Sequence, residues 1–512
     1  MNKNKVNLTL VAQNSVLNLL SNAVPILSGL ISIPVIVRKL GPEQFGILSL
    51  SWAVLGYFTL LEMGMGRATT RFVSEAIAKE QENRIAGIIW TGMWVQTSLG
   101  VGSMILLWIL TPYFTSLLNI SQPLIALAHE TFFYVALSIP AALISIQLRG
   151  ALEGSQRFGI VNSVQAFYNS ALFLVPLFGV LIGLSLPWMV ALVFLTRVLI
   201  VLIYLTFCLK TFPVLRSWPL PMRNSLEGLL KYGGWVMGTN ISTLILLQVD
   251  RFLIGTFGSM SEVTFYTIPY EMVTRLFVIP GAIMAVVFPA VSVMEASGAH
   301  DRLEFLFHRT LKYILLMMGI LITTVTIFSK NIITLWMGES VAIQSSPVFQ
   351  ILAIGVWATS LAYIPLSFLQ AIGRSRITAQ IRIWQIPPTI LLIIVAVEHW
   401  GIMGAAYVWL IRALIDLLLF FVIFYKLSWV SPRMLLQTGV AKVAFLLITF
   451  SLLATSIRSL VESALIQVIM VTCMIILSIG YFYFYIMDDQ DVKNLRHFFH
   501  LRFLKKHRGT KL

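Results

Sequence analysis

The sequence predicts an all-α polytopic membrane protein with fourteen spanning helices and both ends on the cytoplasmic side. Three observations carry that prediction. The 512 residues are 58% hydrophobic and 11% charged, too apolar to divide into a core and a charged surface in water. Fourteen apolar stretches approach or exceed the roughly 20 residues that cross about 30 Å of hydrocarbon. Basic residues also alternate from one side of these stretches to the other. Odd-numbered connections hold only Arg38, Lys39, Arg251, Lys330 and Arg458, whereas the termini and even-numbered connections, with the segment ends beside them, hold 28 of the 36 Lys and Arg. Positive charge is retained in the cytoplasm, so the even side is expected to be cytoplasmic.

The segments run 14–36, 45–64, 86–110, 124–148, 160–182, 187–208, 229–250, 263–290, 311–329, 347–371, 383–397, 402–425, 437–456 and 464–486. Segment one follows directly on a short polar start and is expected to act as its own insertion signal. It carries Asn14, Asn18 and Asn22 at i, i+4 and i+8, a polar stripe suited to neighbouring helices or to water. Segment six contains Arg197 near mid-depth. Segment seven carries Asn240, Thr243 and Gln248 and ends at Asp250 and Arg251; helix adhesion and cavity lining both account for these amides. Pro25, Pro34, Pro140, Pro176, Pro269, Pro280, Pro365, Pro387 and Pro388 interrupt segments, which membrane helices tolerate where neighbours satisfy the freed carbonyls. Segment eight, with Pro269, Pro280 and Pro289, is the one expected to bend for function.

The expected organisation is a cytoplasmic N-terminus (1–13), a six-helix lobe (14–209), a proline-containing cytoplasmic linker (210–228), a second six-helix lobe (229–425), two further helices with their preceding loop (426–487) and a basic cytoplasmic tail (488–512). Glu43 and Glu262, Gly154 and Gly373, and Arg157 and Arg376 all share an offset of 219 residues. That common offset points to a duplicated unit. Six is even, so the copies form a parallel repeat of the kind used for alternating access.

Several chemistries are missing. No GxxxxGK[ST] phosphate loop, HExxH motif or Cys/His cluster occurs, and Cys208 and Cys473 are too few for a disulfide framework. All seven histidines lie at segment ends, in loops or in the tail. The chain is therefore expected to be no enzyme and to need no cofactor or metal. The net charge of +15 is explained by topology and lipid headgroups, so no nucleic acid partner is expected.

Ionisable groups inside the membrane each need a reason, at about 2.5–3.5 kcal/mol on insertion scales. Arg275 follows Glu271 by four residues, the favourable order for a helix pair, and Arg412 precedes Asp416 by four, the poorer order. Arg197 has no acidic residue within four positions. Two readings stay open: structural pairs between helices, or a cationic, water-filled path with Arg197, Arg275, Arg412, Glu271, Asp416, Asn18, Asn22 and Asn240 along it. The three arginines exceed the two acids by one charge, which an anionic headgroup would balance.

Three motifs carry a family resemblance. Residues 40–46 (LGPEQFG), the exit of segment two with Glu62, Gly64, Gly66, Arg67 and Arg71, and residues 250–255 (DRFLIG), which begin with Asp250 and Arg251, resemble the O-antigen-type polysaccharide flippases of the multidrug/oligosaccharidyl-lipid/polysaccharide exporter superfamily. The resemblance implies a fold like that of the superfamily's multidrug exporters, two six-helix lobes around a central cavity, with the second and third motifs in structural or gating roles. It also implies translocation of undecaprenyl-diphosphate-linked oligosaccharide across the bacterial inner membrane, for surface polysaccharide synthesis. Expected partners are that lipid-linked glycan and membrane lipid, with a polysaccharide polymerase and a chain-length regulator as further candidates. Related lipid II flippases carry arginines on the first helix where this chain has asparagines, which argues against lipid II. The alternatives are a multidrug or small-solute antiporter, disfavoured because segment one has no acidic residue, and a membrane polymerase or ligase, disfavoured because no large external loop is present.

Overall fold

The computed structural model describes residues 8–59, 64–216, 248–428, 430, 435, 439–461 and 463–487, with side chains from residue 24 onward. Among these residues the ordered elements are helices, and there is no strand. In chain order the helices are α1 (Leu8–Leu40), α2 (Pro42–Thr59), α3 (Met65–Ala78), α4 (Glu82–Leu117), α5 (Ile125–Gly154), α6 (Phe158–Leu181), α7 (Leu186–Thr211), α8 (248–257), α9 (Met260–Thr274), α10 (Val278–Ala296), α11 (His300–Ile327), α12 (Ser329–Met337), α13 (Glu339–Ala371), α14 (Ser375–Leu427), α15 (Val440–Leu460) and α16 (Ala464–Tyr481). Ten helical stretches of the described residues are long and apolar enough to cross a membrane. The chain is a multi-pass, all-helical membrane protein.

Helix breaks follow from local chemistry. Pro280 has no N–H for the Leu276 carbonyl, and a 3₁₀ turn at Arg275–Phe277 separates α9 from α10 at that point. Segment eight is thus interrupted as an α-helix at Arg275–Phe277. Helix α14 has 53 residues, about 80 Å at 1.5 Å per residue, more than twice the hydrocarbon thickness. Gly401, at φ 55° and ψ −140°, breaks it between the stretches expected as segments eleven and twelve. Two helices fall where only connections were expected. One is α3, whose buried Met65, Ala68, Val73 and Ala76 recur at near-helical spacing and give it an apolar face; the other is the short α12.

The chain divides into two compact units, one comprising 1–268, 336–341 and 379–408, the other 269–335, 342–378 and 409–512. In unit 1, α5 packs on α3, α4 and α7, and α1 on α6. A buried cluster of Met65, Ile89, Leu148, Ala151, Val161, Tyr204 and Leu215 closes one end. At that end α3 and α5 meet backbone to backbone: a Cβ on Gly150 would lie 2.4 Å from the Gly66 carbonyl oxygen. Thr70 Oγ1 donates to the Gly150 carbonyl at 3.1 Å, and Ser74 Oγ to that of Gly154 at 2.9 Å. In unit 2, Phe307 stacks on Phe424 with centroids 4.3 Å apart and meets Phe368 edge-on, while α11 packs against α15.

Connections meet by parity within each unit. In unit 1, the Ser121 amide donates to Glu43 Oε1 at 2.8 Å, the Asn119 amide to the Gly255 carbonyl at 2.9 Å, and Arg38 to the Trp336 carbonyl at 3.5 Å; these join odd connections one, three, seven and nine. Connections two, four and six meet in the α3 cluster. In unit 2, Arg458 of connection thirteen donates to the Ile327 carbonyl at the end of segment nine, 2.6 Å away. Ser292, at the start of connection eight, donates to the Ala371 carbonyl beside connection ten at 3.3 Å.

Candidate functional site

Four helices of unit 1 each contribute one face to a cavity of about 300 Å³. Trp52, Leu55 and Gly56 come from α2; Ala142, Ser145, Ile146 and Arg149 from α5; Gln165, Tyr168 and Leu172 from α6; Arg197, Ile200 and Tyr204 from α7. The three- and four-residue spacings place each set on one side of its helix.

Arg197 lies near the middle of α7 and is 8% exposed. Its guanidinium carbon sits 5.0 Å from the centroid of the Tyr168 ring, a cation–π contact that orients the planar fork. Its Nε is buried and has no hydrogen-bond partner among the described residues. A buried charge without a carboxylate is costly, and a polar cavity that admits water or an anion relieves that cost.

Arg149 is the second cation of the cavity. By sequence it falls one residue past segment four (124–148), in a connection of the side expected to be cytoplasmic. The structure continues α5 to Gly154 and turns Arg149 onto the cavity wall. Its Nε donates to Glu153 Oε1 at 2.9 Å and its Nη1 to Gln165 Oε1 at 3.2 Å, while Gln165 Nε2 donates to Asn169 Oδ1 at 3.0 Å. A usable signal was present, since Ser145 precedes Arg149 by one turn on the same face and Glu153 follows by one turn.

In unit 2, Arg275 stands in the 3₁₀ turn and pairs with Glu271 at 3.0 Å, with side chains 42% and 28% exposed. Arg412 is partly buried, its guanidinium carbon 5.8 Å from the centroid of the Trp409 ring, and Asp416 is buried one turn on. Arg197 therefore belongs to unit 1, and Arg275, Glu271, Arg412 and Asp416 to unit 2. Asn18 and Asn22 lie on α1, with their side chains outside the described residues, and Asn240 and Glu62 lie outside them altogether.

The other described motif residues lie in unit 1. Gly64 caps α3 at φ 64°, a left-handed conformation that glycine takes without steric penalty. Gly66 makes the close approach to Gly150. Arg67 and Arg71 are exposed on α3, Arg71 5.9 Å from the Phe72 ring centroid. Asp250 and Arg251 are buried; Tyr266 Oη donates to Asp250 Oδ2 at 2.5 Å, and the Arg251 amide donates to Oδ1 at 2.9 Å. This carboxylate ties α8 to α9. Among the described residues no group of His, Cys, Asp and Glu is arranged to hold a metal.

Comparison with known proteins fits this picture. The polysaccharide biosynthesis protein family matches residues 11–295. A candidate O-antigen transporter of Shigella flexneri is 30% identical over 440 residues, covering 83% of this chain and 98% of that one. The chain belongs to the polysaccharide biosynthesis protein family. Among solved structures, the lipid II flippase MurJ in an inward-closed conformation matches with a TM-score of 0.71 at 14% identity, over 91% of this chain and 99% of that one. An inward-facing multidrug resistance transporter of the MATE family, in the MOP superfamily, matches with a TM-score of 0.69 at 15% identity, over 80% of this chain and 97% of that one. The fold of this family member is thus the one shared by these exporters and flippases. It is a membrane transport protein and not an enzyme.

Proposed function

We propose that this family member is a flippase for lipid-linked oligosaccharides, carrying undecaprenyl-diphosphate-linked repeat units from the cytoplasmic to the outer leaflet of the bacterial inner membrane by alternating access. The observation that carries this reading is Arg197, a buried guanidinium facing a cavity that Arg149, Gln165, Ser145, Tyr168 and Tyr204 also line, with no carboxylate within reach among the described residues. A diphosphate needs cationic, bidentate-capable donors on its way across hydrocarbon, and arginine keeps its charge when desolvated. The name of the Shigella relative, an O-antigen transporter, supports a glycan cargo, and MurJ, whose fold this chain shares, is a flippase of lipid II. A cationic drug would be repelled by the same cavity, which favours the flippase over the antiporter.

The fuller architecture belongs to the same proposal. Fourteen spans form two six-helix lobes (14–209 and 229–425) that rock against each other, followed by two further helices, with both termini cytoplasmic. Charge partition and parity-matched connections support it. Arg275 and Arg412, with Glu271, Asp416, Asn18, Asn22 and Asn240, extend the cationic, polar path. A polymerase and a chain-length regulator are the protein partners that such a pathway supplies.

The test is complementation of a flippase-null strain, with membrane abundance measured alongside. The wild-type chain restores surface polysaccharide, Arg197→Lys restores part of it, and Arg197→Gln restores none at equal abundance. Full restoration by Arg197→Gln would sink the phosphate-path reading. Reporter fusions after Lys231 and at Leu512 report cytoplasm and one within 111–123 reports the outer side; a cytoplasmic signal from the last overturns the topology.

A further inference from the structure

We propose that the unit 1 cavity is a two-arginine phosphate subsite in which Arg149 exchanges the Glu153 carboxylate for a phosphate oxygen of the lipid-linked substrate. This deepens the flippase reading and rests on it. Arg149 and Arg197 line the same cavity in opposite states. Arg197 is buried and without a carboxylate, whereas Arg149 is 40% exposed and held by Glu153, itself 26% exposed, at 2.9 Å.

The Arg149–Glu153 pair is built to be given up. The arginine precedes the acid by four residues, the weaker order on a helix, and both groups are partly solvated, so their attraction is screened. Two of the five guanidinium N–H groups are used, one on Glu153 and one on Gln165, which leaves donors for an incoming oxyanion. Gln165 is itself oriented by Asn169, so its carbonyl oxygen stays turned to Arg149 and holds the fork at the cavity wall when Glu153 lets go. The displaced carboxylate stays beside α3, where Thr70 Oγ1 lies 3.4 Å from Glu153 Oε2.

Charge counting favours the exchange. A diphosphate bridging a lipid and a sugar carries one negative charge on each phosphorus. In this arrangement Arg197 has no carboxylate beside it among the described residues and Arg149 is paired with Glu153. Once Arg149 is released, the two guanidiniums of the lining face the two phosphate charges, and the Glu153 carboxylate stays outside that lining. Glu153 is thus a positioning residue that keeps the second cation in check until a phosphate arrives, and it stands one turn behind the wall.

Phosphate chemistry is common to the lipid-linked headgroup and to free pyrophosphate, so the test uses both, with the full chain in nanodiscs and calorimetric titration. In the first arm, inorganic pyrophosphate is titrated. Glu153→Gln, which removes the charge and keeps the side chain's size, tightens binding about two- to five-fold, the worth of one partly exposed ion pair. Arg149→Gln weakens binding at least ten-fold, and Arg149→Gln/Glu153→Gln behaves like Arg149→Gln alone. Thermal melting of each variant, with Arg149→Lys as the charge-retaining control, establishes that the protein is folded. Unchanged or weaker binding by folded Glu153→Gln overturns the exchange. In the second arm the nanodiscs carry a polyprenyl diphosphate, and the same order of affinities is expected, with excess pyrophosphate competing. An effect of Glu153→Gln on pyrophosphate alone would make the cavity a free-anion site and overturn the substrate assignment. None of these outcomes depends on complementation, so failure here is distinguishable from failure of the flippase reading.

Discussion

Arg197 in unit 1 and Arg275 in unit 2 both stand within stretches apolar enough to span a membrane, yet they have opposite surroundings. Arg275 is 42% exposed and closes an ion pair with Glu271 one turn earlier, in the favourable helical order. Arg197 is 8% exposed, lies against Tyr168, and leaves its Nε unpartnered among the described residues. The first arginine is neutralised by its own helix; the second leaves its charge for something that enters the cavity. An intramembrane arginine is therefore not one kind of feature. What separates the two is whether the chain itself supplies the counter-charge.

The comparison breaks most easily at Arg197. Truncating one partner of a buried charge pair typically loses about 2–5 kcal/mol, so Arg197→Ala is expected to lower flipping by roughly 30-fold or more at unchanged membrane abundance. Complementation with immunoblotting checks this, and flipping within a few-fold of wild type would place Arg197 with the merely structural arginines.

Next in size is the platform that holds Arg149. A Cβ at Gly150 would meet the Gly66 carbonyl oxygen at 2.4 Å, and backbone cannot move aside. Gly150→Ala is expected to cost about 1–3 kcal/mol, read as a lower melting temperature in detergent. Gly159→Ala, where a Cβ meets nothing within 4 Å, serves as the control and should melt as wild type. Equal melting of the two variants would show that α3 and α5 do not pack as described.

Arg412 is an intermediate case, its guanidinium carbon 5.8 Å from the Trp409 centroid. Trp409→Leu removes the ring face and should destabilise by about 0.5–1 kcal/mol beyond the loss of apolar area. An Arg412→Gln background should abolish that excess in a double-mutant melt. The smallest effect is expected at the exposed pair. Glu271→Ala/Arg275→Ala should change stability by no more than about 1 kcal/mol, since exposed pairs contribute about 0.2–1 kcal/mol. Its effect on flipping then sharpens the contrast: wild-type flipping marks Arg275 as purely structural, and loss at full abundance places it on the substrate path.

Much of the fold was legible in the sequence. The break between segments eleven and twelve falls at Gly401, and the 3₁₀ turn in segment eight falls three to five residues before Pro280, because proline and local hydropathy act where they stand. Helix α3 was missed, since its Met65, Ala68, Val73 and Ala76 make only a short apolar stripe among charges and polar groups, below the length that signals a span. Arg149 was missed for a related reason. Its position just past an apolar stretch reads as a loop charge, and only the continuation of α5 to Gly154 carries it onto a helix face.

The sequence by itself determined the class of the molecule, the parity of its connections and the presence of charge at membrane depth. These are sums of local transfer free energies and of charge counts, and a linear chain displays them directly. Only the tertiary structure decided which arginines are neutralised and which are left facing a cavity. That outcome depends on the faces that α2, α5, α6 and α7 turn to one another, residues up to about 150 positions apart, and on Gly66 and Gly150 letting two backbones touch. Packing of this kind is a property of several helices at once, and no single stretch of sequence encodes it.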